Sequence, residues 1–418
     1  MSYFKLSWQS LKNRRLSATL TLLIIALSTT LLLSVDRIRL DVRHSFSNTI
    51  SDTDLIVGAR TGALNLLLYS VFRIGDASNN MSWQSYLKLQ KKRNVKWTVP
   101  LSLGDSHRGY RVLGTSDAYF KHYKYANKQP LHLQSGTPFS NTFEVVLGSE
   151  VAKKLNYPLH QNIVLAHGTG ATSFEKHDDK PFTVVGILAA TGTEVDRTLH
   201  IPLSGMSALH VNWKDGVKKG RKVSAEDSLK YDLTPKSITA ALVGLESKID
   251  TFTVQRQINT DRREALSAII PGATLQQLWQ LIASAESALF VISSAVMGFS
   301  LLAMLSAIFA GLSQRRREIA IYRALGCPPA GIFWLLLSES AFYGILGTVL
   351  GLALHYAMLL VASAPVQALY GFTLQLVAPD QRMWLVLTLF VAGAVAAGLL
   401  PAYRAYRQTL NDGLKISL

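Results

Sequence analysis

The sequence predicts a membrane protein of four transmembrane α-helices with a large α+β domain inserted between helices 1 and 2. Three observations carry that prediction. Mean hydropathy is positive, at +0.20, which soluble domains seldom show. The apolar excess is concentrated in charge-free runs at Leu16 to Val35, Ser287 to Leu312 and Met383 to Leu400, and about 20 residues span the roughly 30 Å hydrocarbon core. Between the first two runs lies a long segment that mixes strand-like and helix-like patterns and has no membrane character.

Taken in chain order, residues 1–14 carry Phe4, Trp8 and Leu11 at i, i+4, i+7 spacing with Lys5 and Lys12 on the flanks, the pattern of an amphipathic interfacial helix. Residues 15–35 form transmembrane helix 1. This run is too long for the apolar region of a signal peptide, and no small-x-small cleavage site closes it. Residues 36–286 form the inserted domain and 287–313 transmembrane helix 2. A short basic helix is expected over 314–329. Transmembrane helix 3 follows at 330–363, apolar apart from Glu339 and His355. Residues 364–381 make a short loop, 382–402 transmembrane helix 4, and 403–418 a tail.

Orientation follows from the basic residues beside these runs. Lys5, Lys12, Arg14 and Arg15 precede the first, Arg315, Arg316, Arg317 and Arg323 follow the second, and Arg404, Arg407 and Lys415 follow the last. Clusters of this kind stay on the cytoplasmic side. Both termini are therefore expected inside, with residues 36–286 exported.

The formal charge of +16 invites a nucleic-acid reading, which the distribution removes. Twelve of the 43 Lys and Arg and four of the 27 Asp and Glu lie outside 36–286, leaving that segment at 31 against 23, about +8 and dispersed. No basic run interleaved with aromatics appears, so nucleic acid is not an expected partner; anionic membrane lipid is. The single cysteine, Cys327, falls in the cytoplasmic loop, so the exported domain folds without a disulfide, as its size allows.

Within that domain Asp54 to Gly58 reads as a strand and Trp83 to Lys92 as a helix. Trp97 to Leu103 and Tyr110 to Leu113 read as a strand pair around the turn residues Gly104, Asp105 and Gly109. Val145 to Gly148, Glu150 to Leu155, Asn162 to Ala166 and Phe182 to Leu188 read strand, helix, strand, strand. Ile238 to Leu245 is a strand, Thr251 to Thr260 a helix, and a helix from Thr274 onward continues into the second span. The lysine-rich stretch from Asn212 to Pro235 reads as a solvated, mobile excursion.

Motifs for chemistry are absent. No Gly-rich loop ends in Gly-Lys-Ser/Thr, so the chain lacks a phosphate cradle of its own. Gly114-Thr115-Ser116-Asp117-Ala118 lacks the second glycine of a nucleophile elbow. Nine of the ten histidines, among them His160, His167, His177, His200 and His210, fall in the exported segment at irregular spacing, which predicts scattered surface histidines rather than a zinc site. The Glu175 to Asp179 tract reads as a polar loop tip able to hold a metal only loosely. No catalytic residue, cofactor or metal site is expected.

The most specific signal is Gln314-Arg315-Arg316-Arg317-Glu318-Ile319-Ala320-Ile321-Tyr322-Arg323-Ala324-Leu325-Gly326, followed by Cys327-Pro328-Pro329. Ile319, Tyr322 and Leu325 are expected on one helical face with the arginines opposite, and Gly326 and the prolines stop the helix. This segment resembles the coupling loop of the FtsX-like permeases in the MacB and LolC/LolE superfamily, the type VII ABC transporters. Pro401-Ala402-Tyr403-Arg404-Ala405-Tyr406-Arg407 resembles that family's terminus. Val145 to Ala152, Phe182 to Leu188 and Ile201-Pro202-Leu203 resemble its periplasmic core, a MacB-like domain.

The resemblance implies a non-catalytic permease subunit in a bacterial inner membrane, a homo- or heterodimer whose partner is a cytoplasmic ABC ATPase. Arg315, Arg316, Arg317, Glu318, Ile319, Tyr322, Arg323, Leu325 and Gly326 would then dock on the ATPase. Its action would be transmission of movement to a periplasmic client, a lipoprotein, peptide or binding protein. Two alternatives share the architecture, a solute or zinc-linked metal permease and a regulatory scaffold for a cell-wall enzyme. The stretch Asp52 to Gly75 resembles a proteobacterial subgroup associated with zinc-responsive gene clusters, and its apolar Leu66, Leu67, Leu68, Tyr69 and Phe72 are candidate client contacts. In the third span Gly344, Gly347 and Gly351 share a face suited to close helix packing. Glu339 is within reach of the cytoplasmic interface, and His355 is expected neutral and facing the bundle.

Overall fold

A computed structural model describes residues 15–168, 177–214, 217–218, 223–314, 316–370, 374 and 376–412. The interfacial helix expected over 1–14, the last six residues of the tail, and parts of the 212–235 excursion lie outside these residues. The chain divides into two compact units, one of long helices and one comprising Arg43–Ile282.

Four long helices, Arg15–Asn48, Pro271–Gln314, Pro329–Tyr370 and Gln381–Asp412, make the first unit's frame. All four are long and apolar enough to cross a membrane. The first two run well past the predicted spans, because Arg37–Asp41 and Arg39–Glu286 ion pairs of 2.8 Å replace apolar patterning where charge begins. At 1.5 Å per residue the 44-residue second helix is about 66 Å long, roughly twice a hydrocarbon core. Ile25, Met304, Ile308, Ile332, Leu336, Tyr343, Phe390 and Ala394 form the interior of this unit. Large apolar side chains such as Phe290, Val291, Phe299, Val361, Leu385 and Leu389 are exposed, the inside-out distribution a lipid solvent permits.

The second unit is built on an eleven-stranded mixed sheet. In chain order its strands are β1 (Leu55–Ala59), β2 (Val95–His107), β3 (Tyr110–Thr115), β4 (Leu133–Gly136), β5 (Glu144–Leu147), β6 (Asn162–Ile163), β7 (Ala166–His167), β8 (Phe182–Leu188), β9 (Thr198–Pro202), β10 (Ala240–Leu245) and β11 (Leu266–Ile269). The order across the sheet is β11-β1-β10-β2-β3-β9-β5-β8-β4, with β7 on β2 and β6 on β8.

The 13-residue β2 joins two halves of this sheet. Its first part pairs with β10, from Val95 opposite Leu245 to Leu101 opposite Ala240, and its second with β3, from Ser102 opposite Gly114 to His107 opposite Tyr110. Between Leu103 and Ser106 the register slips, so that Gly104 and Asp105 form a bulge. The expected turn thus lies later than predicted, at Arg108 and Gly109, whose φ values of 49° and 87° make the reversal. Gly104 and Asp105 belong to the strand.

The segments quoted as the periplasmic core pattern are neighbours in space. β5 lies between β9 and β8, Val145 is in parallel register with Val184, and Val145, Leu147, Val151, Phe182, Val184, Leu199 and Ile201 share one core. β8 shows the alternating burial of a strand with one covered face.

Candidate functional sites

The connecting helix forms as Arg316–Ala324. It ends in a Schellman arrangement: Gly326 takes φ 86°, its N–H donates to the Arg323 carbonyl at 3.0 Å, and the Cys327 N–H donates to the Tyr322 carbonyl at 2.9 Å. Arg315 lies outside the described residues, as do the Arg316 and Arg317 side chains. The expected apolar face is rearranged. Ile319 packs against the interior of the helical unit together with Cys327, Tyr322 and Arg323 are half-buried, and the large apolar groups turned outward are Ile321, 54 % exposed, and Leu325, 79 % exposed. Glu318, Ile321 and Leu325 follow i, i+3, i+7 spacing, so the outward ridge keeps Leu325 but has Ile321 in place of Ile319 and Tyr322.

The three glycines of the third long helix sit against other helices of the same chain. A Cβ at Gly344 would lie 2.8 Å from the Ala394 Cβ, one at Gly347 2.3 Å from Ile25, and one at Gly351 2.6 Å from Thr29 and 2.8 Å from the Ala26 carbonyl. The first and third helices therefore approach to backbone contact, and Thr30 donates a 2.9 Å hydrogen bond to the Gly351 carbonyl across the seam. His355 is fully buried with its Nδ1 2.9 Å from Ser34 Oγ, and Glu339 is buried as well.

The apolar segment assigned to client contact is a correction. Leu66, Leu67 and Tyr69 lie in a nine-residue helix, Ala63–Val71, and these three with Phe72 are at most 3 % exposed. They pack with Val99, Leu101, Leu113 and Tyr119, and Leu68 is partly buried against the same cluster. The helix leaves Asn65 exposed and Ala63, Leu64 and Leu68 half-buried, while Leu66, Leu67, Tyr69 and Phe72 have no surface left for a client.

The second correction concerns the histidines. Asp105, His167, His177 and His210 each bring one ligating atom to a common point, all within 4.8 Å of one another. Their sequence separations are 62, 10 and 33 residues, which is why no spacing rule finds them. The bulge in β2 aims Asp105 inward, and the antiparallel pairing of β7 with β2 sets His167 opposite Asp105. His210 caps the helix Leu203–Leu209. His177 is held by its N–H donating to the Leu165 carbonyl at 2.9 Å.

Around the cluster, His167 Nδ1 lies 3.2 Å from Asp105 Oδ1 and 3.1 Å from His210 Nε2. His210 Nε2 lies 3.5 Å from the same carboxylate oxygen. His210 Nδ1 donates to the Met206 carbonyl at 2.9 Å, and because a carbonyl only accepts, the neutral ring presents a bare Nε2 to the cluster. Asp105 is fully buried, and its Oδ2 has no hydrogen-bond partner among the described residues. Burial alone would raise the Asp105 carboxyl, yet hydrogen bonds to His167 and His210 hold it well below the carboxylate range. Burial lowers the His177 imidazole to about 4, leaving it a neutral donor. For His210 burial also pulls down, but Asp105 outweighs it and the net shift is upward.

Other histidines of this domain sit apart from the cluster, and His122 stacks on Trp97 with ring centroids 4.9 Å apart. His107 bonds the Val164 carbonyl and the Tyr157 hydroxyl at 2.7 and 2.9 Å, and His200 is a core residue against Tyr119. His132 and His160 are exposed.

Comparison with known proteins adds the lineage. Residues 18–261 match the MacB-like periplasmic core domain, and residues 290–410 match the FtsX-like permease C-terminal family. Among solved structures, the periplasmic region of MacB from Actinobacillus actinomycetemcomitans aligns at 13 % identity and TM-score 0.35, covering 55 % of this chain and 94 % of its own. The extracellular domain of the noncanonic ABC-type transporter YknZ from Gram-positive bacteria aligns at 14 % identity and TM-score 0.30, covering 52 % of this chain and 98 % of its own. No curated protein matches the chain with significance. The two family matches tile one chain in the order the fold requires, a core domain inserted after the first membrane helix and a permease region over the other three, and the chain belongs to the FtsX-like permeases with a MacB-like periplasmic core domain, the MacB/LolC/LolE superfamily.

Proposed function

We propose that this permease is the membrane subunit of an inner-membrane ABC transporter, coupling ATP hydrolysis by a separate cytoplasmic ATPase to movement of its exported domain on an envelope client. The observation that carries the reading is the connecting helix. A basic juxtamembrane anchor needs only charge, whereas Arg316–Ala324 is a helix with its own stop signal and an outward ridge of Ile321 and Leu325. Such a ridge is suited to a groove on a partner. The chain carries no phosphate-cradling loop, so the energy source belongs to another subunit, and a second permease chain completes the transporter.

Copurification tests this directly. Burying Ile321 and Leu325 in a groove is worth about 1.5 to 3 kcal/mol per side chain, while an exposed charge contributes roughly 1 kcal/mol or less. An Ile321→Ala, Leu325→Ala double variant is expected to insert normally and lose most of its ATPase partner. Arg323→Ala keeps the partner, and Ile319→Ala, which touches the helical interior, lowers thermal stability instead. The purified permease alone shows no ATP hydrolysis above background. A double variant that retains the partner and its stimulated turnover would place the ridge in lipid and the coupling surface elsewhere.

A further inference from the structure

We propose that Asp105, His167, His177 and His210 form a binding site in the exported domain for one divalent late transition metal ion, of the closed structural kind, with zinc as the best match to its donors. Three imidazoles and one carboxylate are the donor set of a four-coordinate site with all positions supplied by protein. The spacing agrees. With metal–ligand bonds near 2.05 Å, neighbouring ligand atoms of a tetrahedral zinc site stand about 3.3 Å apart. The separations among Asp105 Oδ1, His167 Nδ1 and His210 Nε2 are 3.1, 3.2 and 3.5 Å, and the His177 ligand atom lies within 4.8 Å of them.

His210 Nδ1 is committed to the Met206 carbonyl, so Nε2 is the atom it turns toward His167 Nδ1 and Asp105 Oδ1, and that nitrogen offers a lone pair once a bound cation displaces its proton. The second oxygen of that buried carboxylate has no partner among the described residues. A cation at the common point satisfies these lone pairs together. The Met206 carbonyl then becomes the outer partner that fixes ring tautomer and orientation, a recurring feature of metal-ligating histidines.

Charge and access fit as well. Lys180 is paired with Asp179 at 3.4 Å, and the Asp105 carboxylate supplies the negative charge within the cluster itself. His167 and His210 are 39 % and 27 % exposed at their side chains, which provides the entry path a closed site needs. Occupied, the site ties together β2, β7, the segment at His177 and the end of the helix Leu203–Leu209, beside the apolar core that Leu165, Met206 and Leu209 already share. A metal held by four protein ligands has no open coordination position, so its role is to lock this part of the domain rather than to react.

The test uses the full chain in lipid nanodiscs, stripped with a chelator and titrated with zinc chloride. The readouts are calorimetry, metal content, and the visible ligand-field bands of cobalt(II) as a report on tetrahedral nitrogen and oxygen ligation. Wild type is expected to take up about one ion per chain and to gain thermal stability on loading. His167→Ala and His210→Ala, both at partly exposed rings, should weaken binding by about 100-fold or more and abolish the thermal gain. His132→Ala with His160→Ala, at exposed histidines outside the cluster, should leave both unchanged. Asp105→Asn, which keeps shape and removes charge, should weaken binding without abolishing the fold. A wild-type chain that takes up no zinc, or uptake that survives both His167→Ala and His210→Ala with equal affinity, overturns the site. Neither result bears on ATPase coupling, which is read separately by copurification.

Discussion

His200 shows at the residue scale how burial converts into a pH dependence. It sits on β9, fully buried, with Nδ1 3.3 Å from the Val146 carbonyl. Burial first, and the nearby Arg73 second, lower its imidazole from the ordinary 6.5 to about 3. The unfolded chain binds a proton there below pH 6.5 and the folded chain does not until about pH 3. The stabilising contribution is therefore complete above pH 6.5 and is lost as pH falls, by up to about 1.4 kcal/mol per pH unit. Thermal midpoints of wild type should drop between pH 6.5 and 4 more steeply than those of His200→Leu; parallel slopes would show that water reaches the ring. Residue-level reading from sequence was weakest here and at the cluster. Asp105 carries the letters of a turn, Gly-Asp, and only the bulge in β2 turns it into a buried carboxylate. Histidines are legible as a site when they share an element, and these four ligands come from four segments.

At the scale of the element, periodicity decided what could be read. β8 was legible end to end because Phe182, Val184 and Leu188 alternate with half-buried positions, and the helix at Thr251 because one face is apolar. The helix Ala63–Val71 was not, since apolar residues stand both at its buried positions and at the half-buried Ala63, Leu64 and Leu68, which blurs the amphipathic trace. The glycine face of the third long helix was legible as a packing face, but its partners, Ile25 and Thr29 on the first helix and Ala394 on the last, were not. This yields a paired prediction in which one substitution has opposite signs. Gly351→Ala drives a methyl to 2.8 Å from the Ala26 carbonyl, and backbone cannot step aside cheaply, so it should lower the thermal midpoint by the equivalent of about 1 to 3 kcal/mol. Gly298→Ala on the second helix meets nothing within 4 Å and should gain up to about 1 kcal/mol of helix propensity. Equal effects from the two would remove close approach as the reason for glycine at 351.

For the whole molecule, the four apolar runs and the inserted domain were legible because hydrocarbon solvent demands long uncharged helices. The helix expected from Thr274 into the second span is there, as Pro271–Gln314, but the extra length of the first was not legible, because hydropathy stops at Asp36 while the backbone remains helical to Asn48. Orientation rests on charge alone. Arg315 to Arg317 with Arg323 follow the second long helix and Arg404 with Arg407 end the fourth, whereas the segment between the third and fourth carries only Asp380 and Arg382. Four crossings would put the two ends of the chain on one side, and the basic clusters predict that this side is the cytoplasm. The domain between the first and second helices is then expected to face outward, and it carries no cysteine to oxidise there. Alkaline phosphatase, active only after export, should be active when fused within Asn212 to Lys222 and inactive when fused after Gly326 or beyond Arg407. Activity in the reverse pattern would invert the molecule, put the Asp105 cluster in the cytoplasm, and leave the connecting helix on the side where no ATPase can reach it.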